Sequence, residues 1–204
     1  MGFYSRIVFP WGVDLAMSRE RHSRARRALL AAVRGEVLEI GFGTGLNLPH
    51  YPAHVKKIVT VDPNAGMHAR ARKRIESSPI AVEQRVLGGD ALPMADGTFD
   101  SVVSTWTLCS IDKVARALQE IRRVLKPDGR LYFLEHGLSD DPAIQRWQRR
   151  LTPIQRVIGD GCRLDRDVRA LLQEAGFTLL ELDNFYMEKE PRTHGYMYRG
   201  AAGK

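Results

Sequence analysis

Two hydrophobic periods alternate along the chain. "EVLEIG" (36–41) and "KKIVTVD" (56–62) are short apolar runs, rich in β-branched residues and closed by Gly or Asp. That pattern predicts strands buried on both faces. "NAGMHARARKRIESS" (64–78) follows with Ala65, Met67 or His68, Ala71 and Ile75 at near-helical spacing, and "IAVEQRVL" (80–87) alternates as a third strand would. "TFDSVVSTWTL" (98–108) is a fourth strand run. "DKVARALQEIRRVLKPDG" (112–129) sets Val114, Leu118, Ile121 and Leu125 on one helical stripe, with Pro127 and Gly129 as its stop. "RLYFLEH" (130–136) is a fifth strand. Strands alternating with helices in this way predict an α/β fold, an open and mostly parallel sheet with helices on both faces.

The rhythm changes on either side of that core. "DPAIQRWQRRLTPIQRVIGDGCRLDRD" (141–167) predicts a helix broken at Pro153 and then a polar, Gly-flanked turn around Cys162, and "DVRALLQEAGF" (167–177) a helix capped by Gly176. "TLLELDNFYM" (178–187) and "HGYMYRGAA" (194–202) are too close in sequence for a helical crossover, so a terminal antiparallel hairpin is expected. Residues 1–35 read as a basic helical segment, with Leu29, Leu30 and Val33 on its inner face, and 36–204 as the α/β domain.

Charge sharpens this division. Seven arginines against Asp14 and Glu20 give residues 1–35 a charge of +5 out of a net +7. The cluster "SRERHSRARR" (18–27) reads first as the solvated face of a helix and second as a surface that follows phosphates. No exposed-aromatic pattern interleaves with it, so a nucleic-acid partner is not expected. No stretch reaches the roughly 18 to 20 apolar residues that span a bilayer, and no cleavage site follows the short apolar words at the start. The chain opens Met1-Gly2, but Arg6 stands where a myristoylation motif needs Ser or Thr. Cys109 and Cys162 are too few for a disulfide scaffold and lack metal-type spacing, so no metal is expected. The expectation is a cytoplasmic protein, with the basic segment available for peripheral membrane contact.

The candidate chemistry begins at "GFGTG" (41–45), the turn that ends the first strand. In an open parallel sheet, ligands sit outside the carboxyl ends of the strands where strand order reverses. Gly41, Gly43 and Gly45 follow G-x-G-x-G, not the G-x-G-x-x-G of dinucleotide sites. Acidic residues mark successive strand ends: Glu39, Asp62 and Asp90. Glu39 would repel a pyrophosphate and favour a sulfonium nucleoside bearing an ammonium group. Asp62, 21 residues beyond Gly41, is placed to accept from ribose hydroxyls, and Asp90 in "GGDALP" from an adenine amino group. These features disfavour a nicotinamide-dependent oxidoreductase.

"VLEIGFGTG", "VDPN", "GDALPMADGTFD" and "VLKPDGRLYFLEHG" resemble the successive motifs of class I S-adenosylmethionine-dependent methyltransferases, from about residue 36 to the C-terminus. "STWTLCSI", "EHG" and "GDGCRLDR" are similar to the methyltransferase-like family seven, which methylates thiols, and to small bacterial methyltransferases. The resemblance implies a Rossmann-like seven-stranded sheet with an antiparallel last strand, and S-adenosylmethionine as cofactor. It places Glu39, Gly41, Gly43 and Gly45 around the methionine part and Asp62 on the ribose. Pro63 and Asn64 would shape the adenosine side, Asp90 and Ala91 read the adenine, and Thr105 and Trp106 close over it. The thiol group's members carry a longer N-terminal membrane anchor than the short basic segment here.

Methyl transfer is an in-line displacement at a carbon already activated by the sulfonium, so the protein chiefly has to align the partners in a water-poor pocket. A base matters only if the acceptor arrives protonated. Near the carboxyl edge of the sheet the candidates are Cys109, Glu135, His136, Asp160 and Cys162. His136, Asp160 and Cys162 are taken as the catalytic set, with His136 as proton shuttle or packed strand-end residue and Asp160 as proton acceptor or substrate anchor. Residues 1–20 are expected to fold over the cofactor as a lid, with Phe3, Tyr4 and Trp11 lining the acceptor pocket. The acceptor is expected to be a small, fairly apolar thiol. A phospholipid amine or other small amine at a membrane surface is the alternative.

Overall fold

In the computed structural model, residues 3–204 are described; Met1 and Gly2, the start of the N-terminal segment, lie outside the described residues. Seven strands form one sheet: β1 (Val37–Ile40), β2 (Lys57–Val61), β3 (Ala81–Arg85), β4 (Phe99–Thr105), β5 (Leu125–His136), β6 (Thr178–Tyr186) and β7 (Tyr196–Gly203). Their spatial order is β3-β2-β1-β4-β5-β7-β6. β1 to β5 pair in parallel, and β7 lies antiparallel to both β5 and β6, which is the expected terminal hairpin with its second strand inserted inward. The chain winds outward from β1 to β3, then restarts at β4 on the other side of β1. The crevice for a ligand therefore opens at the carboxyl ends of β1 and β4.

Among the described residues six α-helices surround the sheet: α1 (Phe9–Met17), α2 (Glu20–Leu30), α3 (Ala65–Glu76), α4 (Val114–Val124), α5 (Pro142–Ile158) and α6 (Val168–Glu174). Because successive strand residues point to opposite faces, β1 and β5 feed two cores. Leu38, Ile40, Leu131 and Phe133 pack with Leu118 and Ile121 of α4 and Leu172 of α6. Val37, Tyr132 and Leu134 pack with Leu29 and Leu30 of α2 and Ala71 of α3. Glu39 shares the face of Val37, so the period of two aims its carboxylate toward α2. On α4 the predicted stripe is fully buried at Leu118 and Ile121, each worth roughly 2 kcal/mol relative to exposure.

Three expectations need correction. Pro153 does not break its helix: α5 runs unbroken from Pro142 to Ile158. Pro153 and Arg149 are both exposed, so water can satisfy the carbonyl left without an amide partner. The strand predicted from Arg130 is assigned from Leu125, because Leu125 already pairs with Phe99 before the register shifts and resumes at Arg130. The arginine cluster is not wholly solvated either. Leu29, Leu30 and Val33 are buried as expected, but His22 and Arg26 are buried beside them.

The N-terminal segment begins with a π-helical turn, Tyr4–Val8, leading into α1. It is fastened to the domain by polar contacts. Ser5 Oγ donates to Asp160 Oδ2 at 2.8 Å, and Asn64 Nδ2 donates to the Ser5 carbonyl at 2.8 Å. Thr44 Oγ1 donates to Asp14 Oδ1 at 2.6 Å, and Arg74 pairs with the same carboxylate at 2.8 Å. Gly66 lets the backbone of Arg6 lie directly against α3, where a Cβ would strike the Arg6 carbonyl.

Candidate active site

A cavity of about 610 Å³ occupies the crevice. At one end stands the glycine turn. Gly41 has φ +74°, and a Cβ there would collide with the Thr107 side chain, so the residue must be glycine both for its conformation and for the close approach. Asp62, at the end of β2, braces this turn. Its Oδ2 accepts from the Gly43 N–H at 2.8 Å and its Oδ1 from the Asn64 N–H at 2.8 Å. Burial raises its pKa, and these two amides hold the rise back. Asp62 lines the cavity, and each of its oxygens keeps the capacity to accept a second hydrogen bond.

Glu39 is 1% exposed. It accepts from Asn47 Nδ2 at 2.8 Å and from the Tyr51 hydroxyl at 2.7 Å. Burial lifts its pKa to about 7, against the pull of those hydrogen bonds and of Arg26, while Asp62 adds to the rise. Two buried polar atoms beside it have no partner among the described residues: Asn47 Oδ1 and Arg26 Nε. Arg26 comes from α2, donates to the Met17 carbonyl at 2.8 Å and stacks over the Trp106 ring at 4.7 Å. Burial lowers its pKa to about 10, so it stays charged at neutral pH. Both Asn47 and Arg26 line the cavity. Sequence reading missed them, since Arg26 looks like any other member of a basic helix face.

The other end is built from three separated stretches. Cys109 lies in the turn after β4, His136 ends β5, and Asp160 and Cys162 follow α5, all on the cavity wall. His136 Nε2 stands 2.9 Å from Cys162 Sγ, which also accepts from Gln155 Nε2 at 3.3 Å. Burial would lower the His136 pKa, but the neighbouring Cys162 sulfur raises it to about 9. Cys162 is pulled well below the usual thiol range, first by the neighbouring Cys109 thiol and then by His136, against the effect of burial. Cys109 is pushed up by the neighbouring Cys162 sulfur and by burial. Glu135 is spoken for: it accepts from Ser104 Oγ at 2.7 Å and from the Thr107 and Leu108 amides at 3.0 and 3.1 Å. It fixes the turn that carries Cys109.

Of the residues singled out from the sequence, Glu39, Gly41, Gly43, Asp62, Pro63, Asn64, Asp90, Thr105, Trp106, His136, Asp160 and Cys162 all line this one cavity. Trp106 and Asp160 have left-handed φ of 49° and 48°, unusual for non-glycine residues and concentrated here. Gly45 and Ala91 do not line it. Gly45 faces Phe42 and Leu48, and Ala91 is exposed to solvent. The aromatic lining is also reassigned: Phe3, Tyr4 and Trp11 are exposed, at 73%, 44% and 57%, whereas Phe9, Val13 and Met17 of α1 face the cavity.

Residues 38–133 match the family model described as "Methyltransferase domain". The rat thiol S-methyltransferase TMT1B is 38% identical over 72% of the chain, which spans 62% of that protein's length. The human thiol S-methyltransferase TMT1B is 34% identical, with 85% of the chain aligned to 70% of that protein. In fold, the chain superposes on a Thermotoga maritima S-adenosylmethionine-dependent methyltransferase with a TM-score of 0.69 at 21% identity, covering 98% of this chain and 97% of the other.

Proposed function

The chain belongs to the S-adenosylmethionine-dependent methyltransferases, and we propose that it transfers the methyl group to the sulfur of a small, fairly apolar thiol. One observation carries the choice of acceptor. The cavity that begins at the glycine turn ends on Cys109, His136 and Cys162, and the buried Glu135 behind them is already engaged by Ser104 and the Thr107 and Leu108 amides. A thiol needs only help in ionising, unlike an alcohol. The supporting relatives are the thiol S-methyltransferases, of which the chain spans about two thirds.

The residues at the glycine end fit the cofactor. Arg26 Nε is a buried unpaired donor suited to a carboxylate, and Asn47 Oδ1 with Glu39 are acceptors suited to an ammonium. Asp62 would take the ribose hydroxyls. Asp90, which lies 3.9 Å from Lys113, would meet the adenine, and Thr105, Trp106, Pro63 and Asn64 would wall it. The bound cofactor supplies a methyl carbon on a sulfonium leaving group. The chain's task is then to hold the acceptor sulfur in line with that carbon and to keep water out. His136 faces the acceptor end, and Asp160, held by Ser5, shapes its rim. A competition between an alkyl thiol and the amine of equal chain length tests the reading; a faster reaction at the amine overturns it in favour of the N-methyltransferase alternative.

Glu39 makes cofactor binding pH-dependent. Its pKa near 7 in the free protein means a proton must leave before an ammonium can sit beside it. Tyr51, Asn47, Arg26 and Asp62 are the groups facing it. Affinity for S-adenosylhomocysteine is expected to rise about tenfold from pH 6 to 8 and then level, and the slope should vanish in Glu39→Gln. In the ligand-free protein the sign is opposite for stability. The folded pKa lies above the ordinary glutamate value of 4.5, so the stabilising contribution is full below about 4.5 and lost as pH rises through 7. A flat affinity profile in the native chain would remove Glu39 from the site.

We further propose that residues 1–35 act as a lid that also touches membranes, in a cytoplasmic protein. Phe9, Val13 and Met17 close the cavity from within. Outward, Phe3, Ile7, Val8, Trp11 and Leu15 are exposed, and the Tyr4 hydroxyl, donating to the Ile158 carbonyl at 2.7 Å, joins this face to Ile154 and Val157 of α5. Exposed Arg6, Arg149, Arg150 and Arg156 flank it. An apolar face rimmed by arginine suits the interface of an anionic bilayer, and among the described residues no helix is long and apolar enough to cross one. Deleting residues 3–17 is expected to lower turnover more than cofactor affinity and to abolish salt-sensitive co-sedimentation with anionic vesicles. Normal turnover in the truncated protein would end the lid proposal, and unchanged vesicle binding the membrane one.

A further inference from the structure

We infer that Cys109, His136 and Cys162 form a three-ligand site for a soft divalent cation of the zinc class, whose fourth position faces the cavity and takes the acceptor sulfur. The role of the fourth ligand rests on the thiol reading above; the binding of the cation does not. The three donor atoms, two thiol sulfurs and one imidazole nitrogen, lie within 4.8 Å of one another. Two sulfurs and a nitrogen select soft or borderline cations over magnesium or calcium. Closed structural zinc sites use four protein ligands, whereas three with an open place are the catalytic arrangement. All three residues line the cavity, so the open place is reachable from it.

The scaffold under the cluster is fixed from both sides. Glu135 holds the Thr107 and Leu108 amides just before Cys109. The two cysteine loops are tied together by the Arg163 N–H donating to the Cys109 carbonyl at 3.0 Å, and by Arg166, which donates to the carbonyls of Leu108 and Ile111. Gly161, at φ +97°, lets the Cys162 loop pass close to the Ser110 carbonyl, and Gln155 donates to Cys162 Sγ. The His136 Nε2 to Cys162 Sγ separation of 2.9 Å is that of a shared proton. Zinc bonds of about 2.1 Å to nitrogen and 2.3 Å to sulfur set a tetrahedral N···S edge of ~3.6 Å. A cation would thus replace the proton and open the pair by roughly 0.7 Å, a movement within side-chain torsional reach.

The step this permits is balanced. As the acceptor thiol binds the cation, its S–H bond breaks and the proton leaves to solvent. A lone pair of that sulfur then forms the new C–S bond to the methyl carbon. The old C–S bond breaks with its pair remaining on the departing sulfur, which turns from sulfonium to neutral thioether. The methylated acceptor is a neutral thioether too, a weaker ligand than a thiolate, and can leave.

The test uses the full chain, purified under reducing conditions. Zinc is added, excess removed, and bound metal measured. Cobalt(II) is then titrated while the thiolate-to-cobalt charge-transfer absorption is followed, before and after a small alkyl thiol is supplied. One equivalent of zinc per chain is expected, with a tetrahedral cobalt spectrum that shifts on thiol addition. Both should be lost in Cys109→Ser/Cys162→Ser. If that double variant fails to bind S-adenosylhomocysteine, Cys162→Ser alone serves as the comparison, with weakened metal binding expected. Zinc retention no greater than in the variant, or isolation of a Cys109–Cys162 disulfide that neither binds metal nor regains it on reduction, overturns the inference. The two readings fail separately. Undiminished thiol methylation by chelator-stripped, metal-free protein overturns the fourth-ligand role and leaves the thiol reading intact. Stoichiometric zinc with no thiol methylation sinks the thiol reading and leaves the cation site standing.

Discussion

An Asp62→Ala protein is expected to bind S-adenosylhomocysteine at least about 100-fold more weakly than the native chain. Two losses combine. The carboxylate is the proposed acceptor for the ribose hydroxyls, and it is also the brace of the glycine turn through the Gly43 and Asn64 amides. Removing it leaves two amides without their partner in a part of the structure where Asp62 is only 7% exposed. Each unsatisfied buried group costs roughly 1–3 kcal/mol, and about 2.7 kcal/mol is a factor of 100 in affinity. Calorimetric titration checks this, with thermal denaturation alongside to separate global unfolding from loss of the site. Asp62→Asn should fare little better, because its NH₂ would face one of the two amide donors. Native-like affinity in either variant would mean that the ribose lies elsewhere.

Arg26→Ala is expected to weaken S-adenosylhomocysteine binding by about 30- to 100-fold, the range for truncating one partner of a buried charge-assisted pair at 2–3 kcal/mol. Methylthioadenosine, which lacks the amino-acid end, should bind native and Arg26→Ala proteins alike. That contrast separates a lost carboxylate contact from a disturbed pocket. Arg26→Lys should recover only part of the affinity, because an ammonium cannot fork to a carboxylate while stacking on Trp106 as the guanidinium does. Equal weakening of both ligands by Arg26→Ala would instead assign Arg26 to holding Trp106 and the lid.

These two residues differ in how far the sequence announces them. Asp62 closes a strand with an unambiguous apolar pattern, at a fixed distance beyond the glycine turn, so its place follows from local periodicity and topology. Most of the fold is legible in this way, because strand and helix periods are local properties and the right-handed crossover leaves few ways to assemble them. Arg26 is different. Nothing within "SRERHSRARR" separates it from its exposed neighbours, and its burial exists only because α2 packs on the sheet face that carries Glu39 and beneath which Trp106 turns. The Cys109, His136 and Cys162 grouping was opaque for the same reason. Intervals of 27 and 26 residues fit no metal motif, and only the convergence of β4, β5 and the loop after α5 unites them. Gly45 and Ala91 err in the other direction: each sits beside a true cavity residue in sequence, yet one faces Phe42 and the other faces water. Aromaticity singles out Phe3, Tyr4 and Trp11 in the sequence, whereas helical rotation puts Phe9, Val13 and Met17 inward.

The proposed reaction delivers the methyl group to the sulfur of a thiol bound in this cavity. A single-turnover reaction with S-adenosylmethionine carrying a ¹³C-labelled methyl, offered an equimolar mixture of an alkyl thiol, the matching amine and the matching alcohol, tests it most directly. The labelled carbon is followed by NMR, which separates S-methyl, N-methyl and O-methyl products by chemical shift. A dominant S-methyl signal is expected, appearing together with S-adenosylhomocysteine. A dominant N-methyl or O-methyl signal, or S-adenosylhomocysteine formed with no S-methyl product, would contradict it.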